Sequence, residues 1–337
     1  MYSFEIRTDL ALEARESMEH AGVKMHGVRS EEYNYSEEGV RVTKVWVETK
    51  NAANQLGKPM GIYVTMEADA LGEPDEGYHR EISRCLALEL KGMLSEKREI
   101  AESAILVVGL GNRNVTADAL GPQVLDHLFV TRHFVKLYGK KAAGEGTVNL
   151  ISCLEPGVMA RTGMETAEII AGVVGETSPD LVIVVDALAA RSTKRLNRTI
   201  QITNTGIQPG SGVGNHRNAL TKESLGVPVI AIGVPTVVDA ATIVGDAMER
   251  LLGTDRIFRR SSFAELSNMY MTGKDVDEVI ARLSFTISEG INIALKREDA
   301  KGNKEDAKGN KEGAKRNKEG AEESAEDTEG SENGLKA

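Results

Sequence analysis

The chain has 337 residues, of which 41% are hydrophobic, and carries a net charge of −10 from 51 acidic and 41 basic side chains. That length and apolar content support a sizeable core, and the acidic balance excludes a surface built to bind nucleic acid. Two cysteines, Cys85 and Cys153, exclude a disulfide framework and point to a reducing compartment.

MYSFEIRTDL at the start lacks the basic region and apolar stretch of a signal peptide. No apolar run reaches the roughly 20 residues that span a bilayer. The expectation is a cytoplasmic protein without a membrane partner. Residues 1–15 otherwise show no readable periodicity, and a flexible terminus is the plain reading. Gly39 to Glu48, GVRVTKVWVE, alternates like a strand with one solvated face. Met60 to Glu67 reads as a second strand, paired with the first in a hairpin or a small mixed sheet. Glu76 to Leu94 is an amphipathic helix with an apolar stripe of Ile82, Cys85, Leu86, Leu88, Leu90 and Met93.

Ile105 to Val108 is a continuous apolar run, the pattern of a strand buried on both faces of a parallel sheet. Gly109-Leu-Gly111-Asn112 breaks it, and a helical pattern begins at Thr116 to Leu120, with Gln123 to Tyr138 read as helix. Thr147 to Cys153 is another buried-type strand, followed by a helix from Met164 to Val174 that Gly175 should stop. Leu181 to Asp186 is the most apolar strand and ends on a carboxylate. Thr199 to Thr203 and Pro228 to Gly233 are further strands, and 204–219 between them is a long glycine-rich loop of the kind that carries function. Helices are expected over Thr236 to Leu252 and Asp275 to Leu295. Strands alternating with helices give an α/β fold with a mostly parallel sheet. From Asp299 a seven-residue unit repeats (DAKGNKE, DAKGNKE, GAKRNKE, GAEESAE) with alanine as its only apolar residue, which forms no coiled-coil seam and reads as a disordered tail over 299–337.

In open α/β sheets, chemistry sits beyond the carboxyl ends of the strands. Asp118 and Asp186 both fall there, and each has an ordinary alternative: an acid near a helix start for Asp118, a helix cap for Asp186. As a pair they say more. Two neighbouring carboxylates do not both ionise easily, so one keeps a proton while the other takes one from water. That is the equipment of amide hydrolysis without a covalent intermediate. Glu155 and Asp239 follow strands at the same edge and are possible supporting acids, which keeps an oxygen-rich metal site conceivable; His216 is the only histidine near these loops.

Gly109-Leu-Gly111 lacks the third glycine of a dinucleotide fingerprint, where Asn114 stands. Cys153 reads as a buried, inert thiol rather than a nucleophile. Ser211 lacks nucleophile-elbow spacing. A non-catalytic protein holding an anion on the 204–219 loop is the alternative from a different class.

RTDLALEA (Arg7 to Ala14), VVGLGNRNVTADALGP (Val107 to Pro122), VVDALAARS (Val184 to Ser192), QPGSGVGN (Gln208 to Asn215) and IAIGVPTVVDA (Ile230 to Ala240) occur in this order. In these motifs the chain closely resembles the germination proteases of spore-forming bacteria over roughly residues 5–295. The resemblance implies an atypical aspartic endopeptidase with Asp118 and Asp186 as its catalytic pair. Gly109, Gly111 and Asn112 belong to the supporting strand–turn–acid motif. It also implies a three-layer, mixed and mostly parallel twisted sheet with helices on both faces, plus a small N-terminal β-containing part. That fold is similar to the hydrogenase-maturation endopeptidases (phosphorylase/hydrolase-like), whose metal-ligand histidine has no clear match here. No cofactor or metal is implied; a metal-dependent maturation-type peptidase is the nearest rival. Members are made as zymogens and trim themselves. Thr8-Asp9-Leu10-Ala11-Leu12-Glu13 matches the order of their cleavage pattern, Thr-Glu-(Phe or Ile)-Ala-x-Glu, with Asp for Glu and Leu for Phe or Ile, which implies a cut between Asp9 and Leu10. The implied organisation is a propeptide at 1–9, a single catalytic domain at 10–298 and the tail. Small acid-soluble spore proteins are the implied substrates, the forespore or spore core the location, and a homotetramer the assembly.

Overall fold

The structure is a computed structural model that describes residues 8–95 (21 and 24 apart), 103–139, 149–211, 217–252, 265–266 and 269–296, without the side chains of 95, 246, 249, 250 and 252. The chain divides into Met1–Leu295 and Lys296–Ala337. All elements below belong to the first, and the repeat tail lies outside the described residues.

The N-terminal third runs α1 (Ala11–His20), β1 (Val28–Tyr35), β2 (Val40–Val47), α2 (Lys50–Leu56), β3 (Gly61–Ala68) and α3 (Glu76–Ser95). β1, β2 and β3 pair antiparallel in turn, with Val28 opposite Val47 and Val40 opposite Ala68. β1, VRSEEYNY, is an edge strand that no apolar alternation announces. It is held by its tyrosines: Tyr33 and Tyr35 donate their hydroxyls to Glu89, a buried carboxylate of α3 that also pairs with Lys44. Thr49 caps α2 by accepting from the Ala52 amide at 3.2 Å, and Gly57 ends it in the left-handed region at φ +64°.

The rest runs β4 (Ala104–Gly109), α4 (Leu120–Leu125), α5 (Arg132–Tyr138), β5 (Leu150–Leu154), α6 (Met159–Thr162), α7 (Thr166–Thr177), β6 (Leu181–Ala190), β7 (Thr199–Thr203), α8 (Lys222–Leu225), β8 (Val229–Asp239), α9 (Ala240–Leu252), β9 (Tyr270–Met271) and α10 (Val276–Leu295). One sheet takes the order β1-β2-β3-β7-β8-β6-β4-β5, with β9 paired to β8. β5, β4, β6 and β8 are parallel, and β7, β3, β2 and β1 continue the sheet antiparallel. The three N-terminal strands belong to the same nine-stranded sheet, joined to it through β3 and β7 with Val64 opposite Ile202.

The alternation of side chains along each strand makes two cores. Ile105, Val107, Ile183 and Val185 face α3, α4 and α10. Leu106, Val108, Val182 and Val184 face α7 and α8, and farther along the same face Val45, Val47 and Tyr63 meet α1 and α2. This is the expected three-layer arrangement.

Four expectations need correction. The helix expected over 123–138 is broken between Leu125 and Arg132 because Thr131 binds the β5 backbone: its amide donates to the Ile151 carbonyl at 3.0 Å, and its hydroxyl accepts from the Ile151 amide at 2.9 Å. α7 starts two residues late and passes through Gly175, whose Cβ position meets nothing, to end at Ser178 with φ +46°. β8 continues to Asp239, so α9 begins at Ala240 and not at Thr236. Leu88, read into the apolar stripe of α3, is 47% exposed.

Candidate active site

Asp118 is positioned by a tight return of the chain after β4. Leu110 donates its amide to the Val185 carbonyl, tying the turn to β6. Gly111 takes φ +113°, and a Cβ there would lie 2.0 Å from the Asp118 carbonyl oxygen. The Asn112 amide donates both to that carbonyl, at 3.0 Å, and to the Asp118 carboxylate, at 2.8 Å. A 3-10 turn over Thr116–Asp118 is fastened to β8 where the Thr236 hydroxyl donates to the Ala117 carbonyl. Gly109 serves differently: its Cβ would meet the Gly121 carbonyl at 2.4 Å, so glycine lets α4 approach β4 closely. Gly121 is as confined, since a Cβ there would meet the Leu110 carbonyl at 2.3 Å.

Asp186 is not at the end of its strand, as the apolar run suggested. β6 continues four residues to Ala190 because β8 keeps pairing with it, Asp186 standing opposite Gly233 and Ala190 opposite Val238. The carboxyl group is therefore desolvated inside the sheet, with 6% of the residue exposed. The Ala187 amide donates to it at 3.0 Å. β4 leads to β5 on one side while β6 lies on its other side, and the crevice at that reversal is where open α/β sheets bind ligands. Asp118 and Asp186 both line a cavity of about 470 Å³ there, with Asp9 and Arg217.

Burial raises the Asp186 carboxyl well above the ordinary carboxylate range, and the neighbouring Asp118 and Asp9 charges push the same way, against the Ala187 amide and Arg217. Burial also raises Asp118, opposed by the Asn112 amide and by Arg217. Asp186 thus holds a proton where Asp118 ionises first. One protonated and one ionised carboxyl in a shared cavity can deprotonate water and protonate a leaving amine.

The same shift carries a stability consequence. A group whose proton is held more tightly in the folded state stabilises the fold at low pH and loses that contribution as pH rises through the folded-state value. Asp186→Asn, permanently neutral, should therefore raise Tm at neutral pH, and the gain should shrink toward the unfolded carboxylate value of about 4. Calorimetry at several pH values checks this; equal Tm values at neutral pH would contradict it.

Asp9 reaches the same cavity. The Asp9 amide donates to the Ala189 carbonyl at 3.0 Å, and the Asp9 carboxylate accepts from the Ala189 amide at 2.9 Å and the Ser211 hydroxyl at 2.6 Å. Lys58 Nζ and Gln201 Nε2 donate to its carbonyl oxygen at 2.9 and 3.2 Å. Leu10 is fully buried against Leu188, Ala190 and Val238. Glu13, also buried, accepts from the Arg191 and Ser192 amides and holds α1 to the end of β6. The plain reading of a flexible terminus does not hold from Thr8 onward. Lys58 and Gln201 carried no sequence signal, whereas Glu13 closes the motif that begins at Thr8. Ser211, set aside as a nucleophile, is a hydrogen-bond donor to Asp9.

The other candidates stand apart from the cavity. Glu155 pairs with Arg113 at 2.7 Å, and Arg113 also grips Asp126. Asp239 is buried and caps α9, accepting from the Thr242 amide at 2.9 Å and its hydroxyl at 3.2 Å. Among the described residues, no group of three or more His, Cys, Asp or Glu is placed to hold a metal ion. Cys153 is half-buried rather than buried, and desolvation pushes its thiol up to about 11. His216 lies outside the described residues, whereas Pro209, Gly210 and Arg217 of the glycine-rich loop line the cavity. No helix among the described residues is long and apolar enough to cross a membrane.

The family model of the germination proteases matches residues 5–262. The germination protease of Caldanaerobacter subterraneus subsp. tengcongensis is 43% identical over 314 residues, covering 86% of this chain and 94% of that protein. That of Clostridium perfringens is 40% identical, covering 87% and 96%. That of Bacillus mycoides is 45% identical over 250 residues, covering 74% and 67%.

Proposed function

The chain belongs to the germination protease family and is therefore a peptidase, and we propose that Asp118 and Asp186 are the acids that carry its reaction. Asp118, ionised first, removes a proton from water. The hydroxide oxygen bonds to the carbonyl carbon, and the C–N bond breaks as the nitrogen takes up the proton held by Asp186. The carbonyl leaves as a carboxylic acid and the nitrogen as an amine, and a further proton exchange with solvent resets the pair.

The chain is a zymogen that removes its own first nine residues. The observation that carries this reading is the placement of Asp9 in the cavity of Asp118 and Asp186, with Leu10 sealed beside it. A substrate segment enters as residues 8–10 do, with an acidic side chain against the Ala189 amide and Ser211 and a large apolar one in the pocket of Leu188 and Val238. Small acid-soluble spore proteins are the substrates, cut after an acidic residue in the germinating spore core, and the working assembly is a homotetramer.

Purified chain incubated under mildly acidic conditions should yield a product whose mass begins at Leu10, in the presence of a chelator as in its absence. A new terminus elsewhere overturns the processing site. Loss of trimming on chelation, restored by added divalent metal, overturns the metal-free mechanism in favour of a maturation-type metallopeptidase.

A further inference from the structure

The two donors on the Asp9 carbonyl come from neighbouring strands of the sheet, Lys58 from the entry to β3 and Gln201 from β7. Gln201 is at the centre of β7, 6% exposed, on the sheet face shared by Asp186 and Leu188. A buried primary amide is costly unless both its ends are paired. Gln201 places both on the N-terminal segment: its oxygen accepts from the Ala11 amide at 2.7 Å, and its nitrogen donates to the Asp9 carbonyl. Lys58 lies between the left-handed Gly57 and Pro59, at the entry to β3. Its Nζ donates to the Thr8 carbonyl at 3.1 Å as well as to Asp9 at 2.9 Å. Burial draws this ammonium below the ordinary lysine range, against the pull of Asp9 and Glu13, which makes it a more acidic donor.

A neutral amide carbonyl oxygen has two lone pairs and can accept both of these bonds. A cation and an amide N–H aimed at a single carbonyl oxygen suit an oxygen that is about to become negative. Asp9 precedes the bond proposed above to be cut.

We propose that Lys58 and Gln201 form the oxyanion site of this peptidase, further catalytic residues on the carbonyl side of the scissile bond. The inference rests on the Asp9–Leu10 cut. As water oxygen bonds to the Asp9 carbonyl carbon, the π electron pair moves onto the oxygen, where Lys58 Nζ–H and Gln201 Nε2–H hold it. When the pair returns, the C–N bond to Leu10 breaks and the nitrogen takes the proton from the acid pair. No proton need leave Lys58.

The test measures self-trimming of the full chain by mass, together with amide exchange at residues 10–14. Lys58→Met should trim about 10²–10³-fold more slowly, as removal of an oxyanion donor does elsewhere. Gln201→Glu, which keeps the acceptor for the Ala11 amide but loses the donor, should be slowed comparably, and Lys58→Arg should recover part of the rate. Exchange protection at 10–14 should be unchanged in all three. Wild-type trimming in Lys58→Met overturns the proposal, and so does slow trimming with lost protection, which marks Lys58 as an anchor for the segment. If Lys58→Met does not fold, the same two readouts on Gln201→Glu decide. Asp118→Asn run in parallel separates the readings: trimming by that variant overturns the acid pair, while a correct Leu10 terminus slowed by Lys58→Met leaves the oxyanion site standing.

Discussion

Asp118→Asn and Asp186→Asn should each slow self-trimming by about 10²–10⁴-fold, the usual worth of a positioned acid or base, while far-UV circular dichroism stays unchanged. The two variants lose different things. Asparagine at 118 keeps an acceptor for the Asn112 amide but cannot take a proton from water. Asparagine at 186 keeps the neutrality that its buried setting favours but has no proton to deliver. The wild-type rate should follow a bell in pH. It rises as Asp118 ionises, above the ordinary carboxylate value of about 4 because burial raises it, and falls at higher pH where Asp186 gives up its proton. Asp118→Asn should erase the acid limb and Asp186→Asn the alkaline one. Residual rates measured by N-terminal mass across pH check both. An unchanged rate in either variant removes that residue from the chemistry.

Gly111→Ala should be the most damaging conservative change in the site, destabilising by about 2–4 kcal/mol and slowing trimming by about 10²-fold in the molecules that still fold. Backbone strain at φ +113° accounts for part of the cost, and the rest is collision: the new methyl would stand 2.0 Å from the Asp118 carbonyl oxygen. Backbone at that distance has to move, and the only relief is to push the Asp118 turn outward, which breaks the Asn112 hydrogen bonds that aim the carboxylate. Gly39→Ala is the control. It too has positive φ, +63°, but nothing lies within 4 Å of its Cβ position, so only conformational strain of about 1–2 kcal/mol applies. Urea midpoints and trimming rates of the two variants separate collision from strain. Equal stabilities would show that the Asp118 turn yields without cost.

The chain by itself determined the parallel core and pointed to both of the proposed acids. A strand buried on both faces must be apolar at every position, so Ile105 to Val108 and Leu181 to Val185 are legible without context, and the glycines after Val108 mark where the chain turns back. The segment from Thr8 to Glu13 was legible only as a motif. What the tertiary structure decided depends on partners far away in the chain. β1 is polar because it is an exposed edge strand, tied to α3 by its Tyr33 and Tyr35 hydroxyls on Glu89, so no alternation betrays it. β6 runs past Asp186 because β8 pairs with it that far, which turns an expected edge acid into one desolvated within the sheet. Glu155 and Asp239 resembled Asp118 in local pattern, yet an arginine and a helix start claim them. Lys58 and Gln201 reach the Asp9 carbonyl across 49 and 192 residues of chain. Such meetings follow from packing and strand order, and local periodicity, which reports only which face a residue prefers, holds no record of them.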